Sequence, residues 1–217
     1  MSPRRPAQRE ALTRDRILAA AVELADENGL DAISMRRIGD AIGYEAMSLY
    51  RHVRDKDDLL DGMVETIVAR FPARDDTLDW RESLRTLVRG AHDELLAHPW
   101  VAALATSRPA VGPARLRFVD GVLAALLAGG CSPQLAHDAM HAVEVHVFAF
   151  TLQELRLNAG ASAHGYQLDA VRGDSALYPH LAAMLATATH DHVAEFEFVL
   201  ELLIVGIDRA IATSAAG

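Results

Sequence analysis

Residues 35–56, MRRIGDAIGYEAMSLYRHVRDK, constrain the fold of this chain more than any other stretch. Apolar residues recur at helical spacing up to Ile42, Gly43 interrupts them, and a second helical pattern resumes at Met47. The stretch therefore predicts a helix, a glycine turn and a second helix. Such a unit leaves one side of its second helix free to enter the major groove of DNA. The same spacing also describes ordinary helical hairpins, so the flanking residues matter.

The side of this two-helix unit that faces away from its apolar residues is rich in hydrogen-bond donors. Such side chains suit phosphate groups and base edges. The candidate DNA-contacting residues on this side are Arg36, Arg37, Ser48, Tyr50, Arg51, His52, Arg54 and Lys56. Two of them have alternatives: Tyr50 as a side chain packed in the core of the unit, and His52 as a surface histidine or a helix C-terminal cap.

The net charge of −9 at pH 7 is unevenly distributed along the chain. Residues 1–56 carry 10 Lys/Arg and 9 Asp/Glu, whereas residues 57–217 carry 11 and 21. Positive charge is thus concentrated where DNA contact is predicted, and the acidic remainder disfavours nonspecific adhesion to nucleic acid. The basic net charge usual for a DNA-binding domain is absent, which counts against the prediction.

Cysteine usage and the N-terminal sequence indicate the compartment. Cys131 is the only cysteine, so an intrachain disulfide and a cysteine-rich zinc site are both excluded. The arginine-rich N-terminus lacks the apolar segment of a secretory signal, and charged residues interrupt the most apolar helix. We therefore expect a cytoplasmic protein with no membrane association.

Local signals divide the chain into helices and no strand pattern is found, so we predict an all-α fold. Thr13, Ser34 and Asp55 occupy N-cap positions, and Ser132 with Pro133 begins a long helix that has no breaker before Asn158. Further helices are predicted over residues 80–97, 101–107, 114–127, 177–190 and 192–212, with a long loop over 158–175. The predicted organisation is a basic flexible arm over 1–11, a first domain over 12–72 and a second over 73–217.

Residues 12–64, LTRDRILAAAVELADENGLDAISMRRIGDAIGYEAMSLYRHVRDKDDLLDGMV, resemble the N-terminal DNA-binding domain of the tetracycline-repressor (TetR) family. The resemblance rests on the R-R-I-x-x-x-I-G helix, the S-L-Y-R-H-V recognition helix and the D-K-D-D-L-L entry to a fourth helix. The HPW…SRP region and EFEFVLELLIVGIDRAI are similar to the tetracycline-repressor-type C-terminal domain. The family implies a three-helix helix-turn-helix head plus a larger helical ligand-binding and dimerisation domain. It also implies a homodimer that binds palindromic double-stranded operator DNA and a small-molecule inducer.

The resemblance also assigns roles within the head. It places Arg36 near a base edge and Lys56 at a phosphate, and it places four residues along the recognition helix: Met47, Ser48, Tyr50 and His52. An arginine that pairs bidentately with guanine contributes about 1–3 kcal/mol of discrimination. Ala46 and Met47 differ from the more polar residues of some relatives, which favours apolar contact with thymine methyl groups.

In the second domain, a pocket and a dimer interface are predicted. The pocket candidates place large apolar faces and a few polar groups on helices expected to converge: Trp100, Phe118, His141, Glu144, Val145 and Phe148. For each of them alone, the alternative is an ordinary core position. The last helix carries two apolar stripes, which favours a four-helix interface made with the long helix of residues 133–158; the alternative is an ordinary core helix. The stripe assigned to the interface is Phe196, Val199, Leu203 and Ile207; the other is Phe198, Leu202 and Val205.

Metal and enzyme chemistry receive little support. His137 and His141 share a helical face near Glu144 and His146, but the chain has no H-E-x-x-H motif and no cysteine partner for them. No G-x-S-x-G elbow is present either. We therefore expect no metal, no cofactor and no enzymatic activity, and predict a ligand-responsive transcriptional repressor. The alternative is a helical protein that sequesters a small molecule and does not bind an operator.

Overall fold

The computed structural model describes residues 11–108, 112–158, 176–187 and 191–215. All secondary structure within these ranges is helical, which confirms the predicted fold class. Residues 1–10 of the predicted arm and residues 159–175 of the predicted loop lie outside the described ranges. The chain divides into two compact units, Met1–Ile67 and Val68–Gly217. No helix in the described ranges is long and apolar enough to cross a membrane.

The first unit contains α1 (Arg14–Asn28), α2 (Met35–Ile42), α3 (Ala46–Leu49) and nearly all of α4 (Lys56–Val68), with a 3-10 turn at Leu30–Ala32. The predicted caps are present: the Thr13 hydroxyl accepts from the Arg16 N–H at 3.2 Å, and the Asp55 carboxylate accepts from the Asp58 N–H at 2.8 Å. The core of this unit consists of side chains that are almost fully excluded from water, namely Ile17, Ala21, Ile38, Leu49, Val53, Leu59 and Met63.

Two glycines shape the turn between α2 and α3. Gly43 ends α2 in the left-handed conformation, with φ of 75°, where a residue with a Cβ is disfavoured. The carbonyl of Gly39 accepts a hydrogen bond from the Tyr44 N–H at 2.8 Å. A Cβ at Gly39 would lie 2.5 Å from the Tyr44 carbonyl oxygen, so no side chain fits at this position.

Arg14 and Asp58 tie the beginning of α1 to the beginning of α4. The Arg14 guanidinium donates to both carboxylate oxygens of Asp58, at 2.9 and 3.0 Å, and to the carbonyl oxygen of His52 at 3.0 Å. Asp58 also accepts from the Arg54 backbone N–H at 2.8 Å. These bonds, the one with Arg14 foremost, lower the pKa of Asp58 from 3.8 to about 2. A charge-assisted pair therefore fixes the residues that follow α3.

The second unit contains α5 (Trp80–Ala97), α6 (Trp100–Ser107), α7 (Pro113–Ala128), α8 (Pro133–Val145), α9 (Thr151–Asn158), α10 (Pro179–Thr187) and α11 (His192–Ala215). A π-helical turn, His146–Phe150, joins α8 to α9. The long helix predicted over 133–158 is thus one helical run with a wider turn inside it. Three consecutive residues of that turn, His146, Val147 and Phe148, are buried.

α5 is buried along one side and charged along another. Its predicted buried face is confirmed, because Leu84, Leu87, Val88, Ala91 and Leu95 are all at most 1% exposed. Three arginines at four-residue spacing pair with three acids of α11: Arg81 with Asp208, Arg85 with Glu201 at 2.6 Å and Arg89 with Glu197 at 2.6 Å. Hydrogen bonds from these arginines lower the pKa of Glu197 and Glu201. The pairs align α11 along α5.

A buried polar cluster lies where α5, α9 and α11 meet. His92 Nδ1 lies 2.7 Å from the Thr151 hydroxyl oxygen, and that hydroxyl donates to the Val147 carbonyl at 2.6 Å. The Thr151 oxygen is therefore an acceptor for His92 Nδ1–H, which leaves Nε2 of the neutral ring without a proton. This Nε2 lies 3.4 Å from Glu154 Oε2. Burial lowers the pKa of His92 to about 4 and raises that of Glu154.

We expect Asp58→Asn to lower the free energy of unfolding at pH 7 by about 1.5–3 kcal/mol, the range for a hydrogen bond to a charged group. The folded pKa of Asp58 is depressed, so its carboxylate stabilises the fold fully above pH 3.8 and loses that contribution as the pH falls toward 2. Urea unfolding followed by circular dichroism measures both effects.

The matched control is Asp40→Asn, which neutralises an exposed carboxylate on α2 of the same unit. We expect it to change the free energy of unfolding by less than about 0.5 kcal/mol. The difference between wild type and Asp58→Asn should be smaller at pH 3 than at pH 7. Equal differences at the two pH values would contradict a stabilisation that depends on the Asp58 charge.

Candidate functional site

The recognition segment is oriented by two buried side chains. Leu49 and Val53 are fully excluded from water in the core of the first unit. The residues between and before them consequently face outward: Met47 is 74% exposed, Tyr50 is 48% exposed and Ser48 is half-buried. Tyr50 therefore does not pack into the core, which was the alternative for this residue. The α3 segment presents an apolar thioether, a hydroxyl and a phenol on one surface.

The basic candidates of the first unit are exposed as well. Arg36 and Arg37 lie at the beginning of α2, and Lys56 is the first residue of α4. Arg51 and Arg54 are exposed in the segment that joins α3 to α4. The His52 side chain is exposed too, while its carbonyl oxygen accepts from Arg14 at 3.0 Å. The structure thus leaves every predicted DNA-contacting side chain at least partly accessible.

A cavity of about 500 Å³ opens between α6, α7 and α8 of the second unit. Four of the six pocket candidates line it: His141, Glu144, Val145 and Phe148. Its volume lies within the usual range of about 300–1,000 Å³ for small-molecule sites. The wall combines an aromatic ring and aliphatic side chains with a few charged groups, which suits a ligand that has both an apolar body and a polar substituent.

The other two pocket candidates lie elsewhere. Phe118 lines a second cavity of about 410 Å³, between the residues that follow α4 and α7. Phe71 also lines this second cavity, and its ring centroid lies 5.2 Å from that of Phe118 and 6.4 Å from that of Phe148 in the first cavity. Trp100 is buried and lines neither of these cavities. Its ring centroid lies 6.3 Å from that of His98.

Arg115 of α7 is a cavity residue that sequence reasoning missed. Its Nη1 donates to the Ala105 carbonyl at 2.8 Å, and its Nη2 lies 3.3 Å from Glu144 Oε1. Its guanidinium carbon lies 4.9 Å from the centroid of the Phe148 ring, within the range for a cation–π contact. The only sequence signal is an arginine one turn before Phe118, and Arg117 beside it makes that signal ambiguous.

The three histidines that suggested a metal site do not form one cluster. His137 and His141 are in contact, with Nε2 atoms 3.3 Å apart. His146 is buried instead, and its Nε2 donates to the Phe196 carbonyl at 3.1 Å. Among the residues that the structure describes, no group of three His, Cys, Asp or Glu side chains is arranged to hold a metal ion.

The two apolar stripes of α11 are on different sides of the helix. Phe196 and Ile207, assigned to the dimer interface from the sequence, are buried inside the chain itself, at 2% and 6% exposure. Val199 and Leu203 are half-buried. The exposed stripe is the other one, with Phe198, Leu202 and Val205 between 54% and 64% exposed. Phe196 and Ile207 are therefore core residues, and the outward apolar face of α11 belongs to its second stripe.

Two family models match the chain. Residues 17–63 match the model described as "Bacterial regulatory proteins, tetR family". Residues 71–211 match the model of the tetracycline repressor-like C-terminal domain. Together they cover the first unit, with its exposed α3 segment, and the second unit, with its cavity.

Similar proteins are regulators. An HTH-type transcriptional regulator of Saccharopolyspora erythraea is 34% identical over 90% of this chain and 84% of its own length. An HTH-type transcriptional repressor of Mycobacterium tuberculosis is 28% identical over 96% of this chain and 85% of its own length. The solved structure of the TetR family protein ActR from Streptomyces coelicolor in complex with actinorhodin superposes with a TM-score of 0.77 at 28% identity, covering 93% of this chain and 99% of that one. The chain therefore belongs to the tetR family of bacterial transcriptional regulators, and it joins a DNA-binding helix-turn-helix domain to a tetracycline repressor-like C-terminal domain.

Proposed function

We propose that this regulator is a repressor that binds a palindromic operator as a homodimer and leaves it when a small molecule binds the second unit. The observation that carries the proposal is the outward surface of α3 and the residue that follows it, where Met47 and Tyr50 are exposed on either side of the buried Leu49. A surface of this kind matches the recognition helix of helix-turn-helix proteins, which lies in the major groove. Such a regulator acts where the DNA is, and we accordingly place it in the cytoplasm.

The proposed DNA contacts are of two kinds, those with base edges and those with phosphates. Arg36 at the beginning of α2 is assigned to a base edge, because a guanidinium forms two parallel hydrogen bonds with guanine. Met47, Ser48, Tyr50 and His52 are assigned to the groove, and Arg37 and Lys56 to the backbone. Phosphate contacts fix the register of the protein on the duplex, whereas base contacts specify the sequence. The two roles predict different responses to salt.

The homodimer is assigned to the exposed stripe of α11. Phe198, Leu202 and Val205 expose more than half of their surface, and burying a side chain of this size contributes roughly 1.5–3 kcal/mol. α11 packs against α8, so both helices can lie beside the axis of a dimer. A two-fold axis next to these two helices would bury a continuous apolar surface in a four-helix arrangement. Val199 and Leu203, half-buried in the chain, would lie at the edge of that surface.

The inducer is assigned to the 500 Å³ cavity. Phe148 in its wall lies 6.4 Å from Phe71, which follows the end of α4. A ligand that displaces Phe148 would change the packing of Phe71, which lies three residues beyond the end of α4. Operator and inducer would then oppose each other through a coupling of about 1–3 kcal/mol. ActR, which was solved with actinorhodin bound, supports a small molecule as the effector of this fold.

Two alternative functions would give different experimental results. A sequestering protein would bind small molecules in the same cavity without binding DNA. An enzyme would convert its ligand, and that conversion would depend on His141 or Glu144, the polar cavity residues with acid–base chemistry. The family consists of regulators, so we propose that the chain is not an enzyme and uses no cofactor.

We expect the protein to bind a fragment of the DNA upstream of its own coding sequence, measured by fluorescence anisotropy over a range of salt concentrations. Arg36→Ala should weaken specific binding by about 5–150-fold, since one bidentate base contact is lost. Tyr50→Ala should weaken it in the same direction. Lys56→Ala should weaken binding to all sequences alike and reduce the slope of log K against log salt by about 1.

Arg117→Ala is the matched control, because it removes an exposed arginine from α7 of the second unit. Its affinity for the upstream fragment should equal that of the wild type. If the wild-type protein binds no upstream fragment at low salt, the operator-binding function is wrong and the sequestering protein takes its place.

We expect the wild-type protein to have twice the 23.5 kDa mass of one chain in solution. Phe198→Asp should shift it toward 23.5 kDa, because a carboxylate would have to be buried in the interface. Light scattering after size-exclusion chromatography measures the mass, and circular dichroism checks that the variant is folded. Leu116→Asp, at a leucine of α7 that is 58% exposed, is the control and should remain dimeric. A Phe198→Asp variant with the wild-type mass would exclude the assigned stripe.

A further inference from the structure

The cavity of the second unit contains a positive group whose position is fixed before any ligand arrives. The Arg115 guanidinium is held on two edges, by the Ala105 carbonyl at 2.8 Å and by Glu144 at 3.3 Å, and on one face by the Phe148 ring at 4.9 Å. Its side chain is only 23% exposed. Three different helical segments thus hold one arginine at the cavity wall. An arginine positioned in this way loses little further conformational freedom when a ligand binds.

Arg115 retains donors for a ligand. A guanidinium has five N–H groups, and the two bonds to Ala105 and Glu144 occupy two of them. The bond to Glu144 uses one carboxylate oxygen at 3.3 Å, which is longer than the roughly 2.7–2.9 Å of a strong charge-assisted bond. Glu144 therefore does not form the two-pronged pair that would saturate the guanidinium.

The donors that Arg115 retains favour an anion at this part of the wall. Among the described residues that line the cavity, Glu144 is the carboxylate that shares the Arg115 guanidinium. Phe148 packs against one face of the guanidinium and is itself buried, so the accessible apolar part of the wall consists of aliphatic side chains such as Val119 and Val145. The apolar body of a ligand can lie against these side chains while an acidic substituent meets the guanidinium edge.

We propose that the inducer is an apolar acid whose carboxylate or phenolate binds Arg115 and whose apolar body lies against the aliphatic side chains of the cavity wall. This inference rests on the proposed function, because it names the chemical class of the ligand that the cavity takes. Arg115 sets the preference for negative charge. Glu144 moderates it by sharing the guanidinium, so the two residues affect the affinity for an anion in opposite directions.

Three naphthalene probes of one shape and different charge test the inference: 2-naphthoate, 2-naphthamide and 2-naphthylmethylammonium. Isothermal titration calorimetry on the full chain measures their affinities. We expect 2-naphthoate to bind more tightly than the cation by roughly 10-fold or more, as one charge-assisted contact provides. Preferential binding of the cation, or no binding of any probe at millimolar concentration, would overturn the assignment.

Two variants with opposite expected effects on 2-naphthoate affinity distinguish the loss of a ligand contact from a folding defect. Arg115→Gln should weaken 2-naphthoate binding by about 10-fold or more and leave 2-naphthamide nearly unchanged. Glu144→Gln should strengthen 2-naphthoate binding and weaken that of the cation. A damaged fold would weaken all three probes together, so the gain in Glu144→Gln is the decisive result. Arg117→Gln, two residues from Arg115 and outside this cavity, should bind all three probes as the wild type does.

The DNA-binding assay distinguishes this inference from the proposed function. If the protein binds its upstream fragment and only the cation binds the cavity, the ligand class is wrong and the repressor function stands. If 2-naphthoate binds with the expected sign pattern and no fragment is bound, the ligand class stands and the repressor function is wrong. Release of the fragment by 2-naphthoate, lost in Arg115→Gln, supports both.

Discussion

The second unit is organised around α5, whose apolar side from Leu84 to Leu95 is excluded from water. A helix buried against α6, α7 and α9 has to satisfy its polar side chains where they lie. Where the polar residues reach the surface, Arg81, Arg85 and Arg89 pair with acids of α11. Where they do not, His92 bonds to Thr151 in the interior. The ion pairs and the His92–Thr151 bond both attach other helices to α5. The buried α5 therefore also fixes the positions of α9 and α11.

In the first unit, the DNA-contacting surface depends on contacts beneath it. The fully buried Leu49 and Val53 determine which side of α3 faces outward. The glycine at position 39 lets the chain turn tightly enough for α3 to follow α2, because a Cβ there would lie 2.5 Å from the Tyr44 carbonyl oxygen. Arg14 and Asp58 hold the segment that leaves α3. A surface fixed in this way at its entry, its underside and its exit is preorganised for a rigid partner.

The features that the sequence predicted are those encoded locally. The caps at Thr13 and Asp55 and the buried side of α5 depend on residues within one or two helical turns. The role of Gly39 was not predicted, because a glycine in an amphipathic helix does not show which backbone atom will approach it. The two stripes of α11 are equally apolar, and only the position of α5 and α8 shows that Phe196 faces inward. Arg115 was missed because Ala105 and Glu144, its partners, are distant in sequence.

The π-helical turn at His146–Phe150 determines how the chain responds to the deletion of a residue in this part of the helix. A wide turn holds one more residue than an α-helical turn, and each residue of a helix corresponds to about 100° of rotation. Because the wide turn already completes a full rotation with its extra residue, deleting one residue here would restore regular α-helical geometry and leave α9 at nearly the same angle relative to α8. Thr151 and Glu154 would still face His92. The same deletion within α8 or α9 would instead turn every following residue of the helix by about 100°.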